Sequence, residues 1–303
     1  MKQVYQAPKA VVMVRPHHFV SNPETMHDNT FQTYCKLLDQ ERNAFNEVTD
    51  AVRILREEGI EVHLFEDEQK NTPDSVFPNN WFSTHSNGEL VVYPMYVENR
   101  RLEYRKDIVD FLTNNYKVSS LTDYSFLAKE NAFLEGTGSL VIDHIHNFAY
   151  AVESKRTSSS LVDTVCKQLK LKPVIFNAQD MQGRDVYHTN VLMCVATEFV
   201  MICLDMVPEN QRKLLTSYFL QSHLEVIDLT RDQINSFCGN AIELKGKHGK
   251  VLALSETAYN ALSKRQKEQI EKTATLIPLR IPTIESAGGS VRCMIAGIHL
   301  EKK

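Results

Sequence analysis

The sequence predicts an α/β fold: a five-bladed, pseudo-symmetric α/β propeller built of ββαβ units. Three observations carry this. The order strand, strand, helix, strand recurs along the 303 residues. Each recurrence opens on a short polar loop, and each unit is near the 45–50-residue period of radial arrays. The units share little sequence identity, so what repeats is the order of elements. Five units closing on themselves give one ring rather than two domains, although the length alone would suggest two. No low-complexity stretch or linker interrupts the chain, so residues 1–303 are expected to form a single propeller domain.

Taken in order, Val11–Val14 reads as a buried strand and residues 32–58 as a helix. In that helix Phe45, Val48, Val52 and Leu55 recur at helical spacing, and Gly59 is a plausible stop. A strand over Ile60–Phe65 follows. The second unit has loop Phe77–Asn80, then hairpin strands Trp81–Thr84 and Leu90–Tyr93 turned at Ser86-Asn87-Gly88. A helix over Arg101–Asn114 and a strand over Lys117–Leu121 complete it. The third has loop Glu135–Ser139, hairpin Leu140–Ile142 and Phe148–Val152, helix Thr157–Leu169 and strand Pro173–Phe176. The fourth has loop His188–Asn190, hairpin Val191–Val195 and Phe199–Leu204, helix Asn210–Leu220 and strand Leu224–Leu229. The fifth has loop Cys238–Asn240, hairpin Ala241–Leu244 and Val251–Leu254, helix Thr257–Lys272 and strand Leu276–Ile281. A last loop, Gly288–Arg292, leads to one strand over Met294–Leu300 that lacks its partners. The N-terminal strand, helix and strand supply them, so both termini close the first blade.

Composition narrows the function classes. The chain is 43% hydrophobic and 24% charged, with net charge −4, so no broad basic surface argues for nucleic acid. No apolar run reaches the roughly 18 residues of a membrane span, and the best, Val191–Leu204, carries Glu198. The apolar run Val11–Val14 is too brief for a signal peptide and ends at Arg15. Six cysteines without paired spacing read as neither a disulfide framework nor a zinc site. A cytoplasmic protein with free thiols is expected. No Gly-x-Gly-x-x-Gly, Walker loop or His-Glu-x-x-His occurs, so neither cofactor nor metal is expected.

The repeat makes a site. Each polar loop precedes the first hairpin strand of its unit, so all five loops lie at one end of the ring, near its axis. They carry Asn79 and Asn80, Glu135, His188 and Asn190, Asn240, and Arg292 with Cys293. The second hairpin strand returns to the same end, where its exits carry Arg100 and Arg101 in unit two and Arg156 in unit three. A thiol, an imidazole and a carboxylate thus converge. A thiolate nucleophile needs a proton shuttle beside it, and histidine titrates in the right range. Taken alone, Cys293 reads as one more buried cysteine and His188 as a structural histidine. Cys238 also sits in an inner loop but lacks the Gly288-Gly289 lead. Cys194 and Cys203 read as strand core, and Cys35 and Cys166 as helix packing. Residues 17–31 are polar and irregular, and their composition suggests a lid.

On these residues the chain resembles the guanidino-group-modifying superfamily of arginine deiminases, dimethylarginine dimethylaminohydrolases, succinylarginine dihydrolase and amidinotransferases. Leu134-Glu135-Gly136 is similar to its Glu-Gly loop, and His188-Thr189-Asn190 to its His-x-Asp. Gly288-Gly289-Ser290-Val291-Arg292-Cys293-Met294 resembles the deiminase nucleophile loop. Ser154-Lys155-Arg156-Thr157 matches Ser-x-Arg-Thr, whose arginine grips a substrate α-carboxylate, and Arg100-Arg101-Leu102-Glu103 looks like the second carboxylate-binding pair. The resemblance covers essentially the whole chain and implies the five-bladed propeller, a Cys293-His188-Glu135 site and a small amino-acid substrate. It leaves the oligomeric state open.

Two departures bear on the substrate. Deiminases carry aspartates at the places matching Asn80 and Asn190, where they clamp a cationic guanidinium. Neutral amides give up that charge pairing and offer donors as well as acceptors, which suits a neutral ureido group. The resemblance then points toward citrulline-utilisation hydrolases, which convert citrulline to ornithine, ammonia and carbon dioxide. Cys293 would attack the central carbon, His188 would protonate the departing nitrogen and then activate water, and Glu135 would orient His188 and the substrate N–H groups. Arg156 and Arg101 would hold the α-carboxylate, with Arg100 beside them and Arg292 in contact with the ligand. The developing oxyanion needs donors, from Asn80, Asn190 or the Gly288-Gly289 backbone. Asp74 could return a negative charge to the pocket. The alternatives are an arginine deiminase or amidinotransferase on the same scaffold, and a non-catalytic propeller that only binds.

Overall fold

The computed structural model describes residues 4–33 and 39–303. Their strands form five three-stranded sheets of identical plan. Each has an inner strand antiparallel to the middle one and an outer strand parallel to it. The first blade joins β15 (Ala296–Ile298) to β1 (Ala10–Pro16) and β2 (Glu61–Asp67). The others are β3–β4–β5 (Phe82–Thr84, Glu89–Val92, Ser120–Asp123), β6–β7–β8 (Val141–Asp143, Phe148–Val152, Lys172–Phe176) and β9–β10–β11 (Met193–Val195, Phe199–Ile202, Glu225–Asp228). The fifth is β12–β13–β14 (Ile242–Lys245, Lys250–Ser255, Thr275–Leu279). This is the five-bladed α/β propeller, with its first blade closed by both ends of the chain. The parallel middle-to-outer pairing requires a crossover, which the helix of each unit provides.

Sequence pattern explains the elements. In the helix Gln40–Glu57, Ala44, Val48, Ala51, Val52 and Leu55 are buried at helical spacing against the first blade. Phe45 is half-buried instead, and its ring faces the Arg15 guanidinium at 4.2 Å. The middle strands, such as Phe148–Val152 and Phe199–Ile202, are buried at every position because neighbours cover both faces.

Several boundaries differ from the expected ones. The helix expected over 32–58 begins at Gln40, after Asp39 in the left-handed region (φ 64°), and residues 34–38 lie outside the described residues. The helix expected over 101–114 is two, Glu98–Arg101 and Lys106–Asn115. The one expected over 257–272 is also two, Glu256–Ala261 and Lys264–Glu271. The second break is encoded locally: Leu262 is extended, and the Ser263 side chain accepts from Gln266 N while Gln266 Oε1 accepts from Ser263 N. Four of the inner loops contain a helical turn, at Pro78–Asn80, Gly136–Ser139, Thr189–Leu192 and Val291–Met294. Val191 and Leu192, expected in a strand, are therefore helical, and Cys293 sits on a helical turn rather than at a strand's mouth.

The inner strands run from these turns toward the other end of the axis. There Gln6 ties blades together, donating through Nε2 to Ile142 O (2.8 Å) and Val195 O (3.0 Å) and accepting from His144 N (2.8 Å). The Ser263 capping box yields a test of the fold: Ser263→Ala should keep the structure and lower unfolding stability by about 1 kcal/mol, read as a shifted urea midpoint at constant slope.

Candidate active site

Cys293 is 2% exposed, on the Val291–Met294 turn. Its Sγ accepts from Asn190 Nδ2 at 3.3 Å and Asn240 Nδ2 at 3.2 Å. Asn240 is itself fixed, donating to Asn190 O (2.9 Å) and accepting from Cys293 N (3.4 Å). Two amide donors aimed at one sulfur hold it in place and complement negative charge on it. Asn190 Oδ1 is buried with no hydrogen-bond partner.

His188 lines the same cavity as Cys293. Its Nε2 lies 2.8 Å from Glu135 Oε2, and a carboxylate there assigns the proton to Nε2 and leaves Nδ1 as the lone-pair nitrogen. Nδ1 faces Gly138, where an added Cβ would lie 2.8 Å from it, so only glycine lets the imidazole rest against this turn. Burial lowers the His188 pKa below 6.5, and the Arg156 and Arg100 charges add to this while Glu135 opposes it. At neutral pH the ring is the neutral base.

Glu135 is completely buried. Besides His188 it takes Tyr96 N on Oε1 at 2.9 Å, and Arg156 Nη1 and Arg100 Nη1 lie 3.5 and 3.7 Å from Oε2. Burial alone would raise its pKa, but Arg156, His188 and Arg100 outweigh this and hold the carboxylate well below its usual range. Glu135 is thus placed to position His188, and Oε1 accepts a single bond, from Tyr96 N.

The two neighbouring arginines separate. Arg100 points inward at 2% exposure. Its Nε and Nη2 donate to Glu103 at 2.9 Å each, and Nη1 reaches Asn80 Oδ1 at 2.9 Å. The Asn80 amide then donates to Asn79 Oδ1 (3.1 Å), which keeps fully buried Asn79 behind the cavity wall. Arg101, expected to hold the α-carboxylate, is exposed and caps Met95 O (3.1 Å) and Tyr96 O (2.8 Å) outside the cavity. Successive residues of a helical turn cannot share one direction. Arg292, expected in contact with the ligand, also turns away: Nη1 donates to Ile295 O at 2.9 Å, and the side chain lines a chamber at the opposite end of the axis.

Arg156 is buried in the cavity and stacks over the Tyr187 ring at 4.9 Å. Its Nε and Nη2 grip Asp28 in a bidentate pair at 2.8 and 2.6 Å. The segment that supplies Asp28 covers the cavity. Asn22 donates to Asp74 Oδ2 at 2.7 Å, and Asn29 donates to Ala287 O and Gly288 O at 3.3 and 3.4 Å. Gly288 has φ 80°, and an added Cβ would meet the Asn29 amide at 2.4 Å, so this glycine makes room for the covering segment. Asp74 is buried, and its Oδ1 has no partner although the residue lines the cavity. Burial raises its pKa against the pull of Arg100. With this segment in place the cavity leaves about 10 Å³ of free space, no more than one water needs.

Other histidines, arginines and thiols sit elsewhere. His17 and His18 pair with Glu66 and Glu41 near the surface, and Arg15 pairs with Glu66. Cys238 donates to Ala258 O at 3.4 Å, and burial pushes the thiols of Cys166, Cys194 and Cys238 up to about 12. Cys35 lies outside the described residues. Sequence reasoning did not assign a role to Asn240 or Asp28. Asn240 could have been found, since it occupies the fifth inner loop as Asn80 and Asn190 occupy the second and fourth. Asp28 lies outside the repeat and gave no signal.

A family model described as N,N dimethylarginine dimethylhydrolase, eukaryotic, matches residues 15–300. The chain belongs to this family. It is a member of the guanidino-group-modifying superfamily and a hydrolase acting on non-peptide C–N bonds with a cysteine nucleophile. No curated protein matches the sequence. Among solved structures it is similar to the N-terminal domain of ArgZ, an arginine dihydrolase from the ornithine–ammonia cycle in Cyanobacteria. That structure is a cysteine-to-serine mutant bound to substrate, at 17% identity and TM-score 0.73, covering 95% of this chain and 97% of that one. An asparagine-to-serine form of the same domain, covalently bound to a reaction intermediate, matches at 16% identity and TM-score 0.73 with the same coverage. DDAH from Pseudomonas aeruginosa, a cysteine-to-serine mutant complexed with citrulline, matches at 13% identity and TM-score 0.67, covering 96% and 99%. At these identities the likeness is one of fold. Among the described residues no helix is long and apolar enough to cross a membrane.

The His188 environment can be checked by ¹⁵N NMR. The ring should carry its proton on Nε2 at neutral pH and titrate below 6.5. Glu135→Gln, which removes the charge that raises this pKa, should move the midpoint lower still. A midpoint above 6.5 would contradict the geometry.

Proposed function

We propose that this chain hydrolyses the ureido group of citrulline, giving ornithine, ammonia and carbon dioxide, with Cys293 as nucleophile, His188 as proton shuttle and Glu135 as the group that positions His188. The observation that carries the substrate choice is the surroundings of Cys293: its polar side-chain partners are the amides of Asn190 and Asn240, not carboxylates. Asn190 offers its unpartnered Oδ1 as an acceptor for a ureido N–H. A cationic guanidinium would find no charge-assisted acceptor in those two residues.

On this reading catalysis is covalent. Cys293 gives its proton to His188 Nδ1, and Sγ forms a C–S bond to the ureido carbon. The C–N bond to the side-chain nitrogen breaks as His188 returns the proton to that nitrogen, and ornithine leaves. Water, deprotonated by His188, then attacks the thioester-like carbon. The C–S bond breaks and the sulfur leaves as a thiolate beside the two amide donors, to be reprotonated. The carbamic product loses its remaining nitrogen as ammonia and its carbon as carbon dioxide. That the similar ArgZ domain has been seen covalently bound to a reaction intermediate supports a covalent route.

Arginine is the second reading, and a specific observation favours it: Asp74 Oδ1 is an unpartnered buried acceptor in the cavity wall, suited to a cationic group. On the citrulline reading this oxygen receives the substrate's α-ammonium. The family description and the arginine dihydrolase neighbour also fit an arginine-type substrate. We read the chain as one catalytic domain acting in the cytoplasm, with Arg156 as the receptor for the α-carboxylate in place of Asp28.

Ammonia release from purified protein offered L-citrulline and L-arginine separately is the direct assay. Citrulline turnover to ornithine is expected, with loss of activity of roughly a thousandfold or more in Cys293→Ala. Citrulline as a product of arginine would overturn the substrate choice and leave the chemistry standing. A second expectation concerns Asp28. Asp28→Asn removes the charge held by Arg156, so 5-ureidopentanoate, which has the carboxylate but no α-amine, should bind several-fold more tightly. Unchanged or weaker binding would mean that Asp28 does not compete for Arg156.

A further inference from the structure

A second chamber lies at the opposite end of the propeller axis from Cys293, and none of its lining is shared with the substrate cavity. It leaves about 50 Å³ of free space and opens in part to solvent. Its polar lining includes Arg292, His85, His144, His299, Cys194 and Glu243. The proposed reaction uses none of them.

Arg292 is the unusual member. Its one hydrogen bond among the described residues is from Nη1 to Ile295 O. No described carboxylate pairs with it, and the ionisable groups that interact with it are the thiols of Cys293 and Cys194 and the imidazoles of His144 and His299. Burial lowers its pKa to about 10, which still leaves it cationic at neutral pH. Arg292 is half-buried, and a partly desolvated guanidinium is ordinarily paired. Arg100 and Arg156 show the usual solution in this same chain, each in a bidentate pair with a carboxylate.

The three imidazoles add donors without adding charge. His144 and His299 stack with ring centroids 3.7 Å apart, and His85 lies 6.2 Å from His144. Burial lowers all three, His85 to about 3 and His299 to about 4, and the Arg292 charge lowers His144 and His299 further. They are neutral at neutral pH. Among the described residues no three such side chains converge as metal ligands. Glu243 is the chamber's carboxylate, and its Oε2 accepts from Thr197 N (2.9 Å) and Oγ1 (2.5 Å). Its Oε1 is unpartnered, and burial raises its pKa. It does not lie against Arg292.

We propose that this chamber is a binding site for a small planar monoanion of the bicarbonate or nitrate kind, seated on the free edge of the Arg292 guanidinium with imidazole N–H groups of the histidine cluster beside it. One uncompensated cation sets the charge at minus one. The planar guanidinium fork selects a planar oxyanion that can accept two parallel bonds. The site goes beyond the reading of the substrate cavity and does not depend on it.

The test uses the full chain without substrate. Binding of ¹³C-labelled bicarbonate is followed by NMR, with nitrate as competitor. Saturable binding of one ion per chain is expected, displaced by nitrate. Arg292→Met should weaken it roughly tenfold or more. Cys194→Asp, which supplies a fixed carboxylate beside the guanidinium, should do the same in a folded protein. Arg156→Met, at the other end of the axis, should leave it within about twofold. Absence of saturable binding in the wild type would overturn the proposal. So would binding that survives both Arg292→Met and Cys194→Asp, or binding lost in Arg156→Met.

Discussion

The hydrogen bond between Glu135 Oε2 and His188 Nε2, made where neither residue meets water, is the interaction around which the substrate cavity is organised. A carboxylate at zero exposure is tenable only with compensating charge and donors. Tyr96 N, Arg156 and Arg100 provide these at 2.9, 3.5 and 3.7 Å. The five groups come from three different blades. No single ββαβ unit could therefore assemble them.

The cavity divides into a charged half and a neutral half. Arg100, Arg156, Asp28, Asp74, Glu103 and Glu135 form a dense set of ion pairs on one side. Around Cys293 the polar partners are amides. The two halves suit a zwitterionic amino acid with a polar but uncharged tail, its charged end among the ion pairs and its reacting carbon at the sulfur. In the closed arrangement Asp28 completes the charged half by pairing with Arg156. A carboxylate ligand entering this site must replace one carboxylate with another, an exchange that need not leave the guanidinium unpaired. Covering segment and cavity are thereby linked electrostatically as well as by the Asn22 and Asn29 hydrogen bonds.

How much could be read beforehand differs from residue to residue. Cys293, His188 and Asn190 were legible as a group because a repeat places equivalent loops at equivalent places, whatever their detailed shape. The helical turns within those loops were not, since four residues are too few to show a 3.6-residue period. Arg101 and Arg292 were misplaced for a related reason. Position in the chain located their backbone near the axis, but one residue's rotation on a helical turn sent Arg101 to the surface and Arg292 to the far chamber. Asn240 was visible as an inner-loop amide, but its contact with Cys293 was not.

The sequence by itself determined the class of fold and the end of the ring where polar loops gather. Both follow from the order of elements and from hydrophobic pattern, which are local properties. It also determined which thiol lies beside which histidine's loop. Only the tertiary structure decided which way each side chain points, that Asp28 occupies Arg156, and that Arg292 has no carboxylate partner among the described residues. Those are outcomes of distances between residues far apart in the chain. They depend on how five blades pack, and no short-range pattern encodes them.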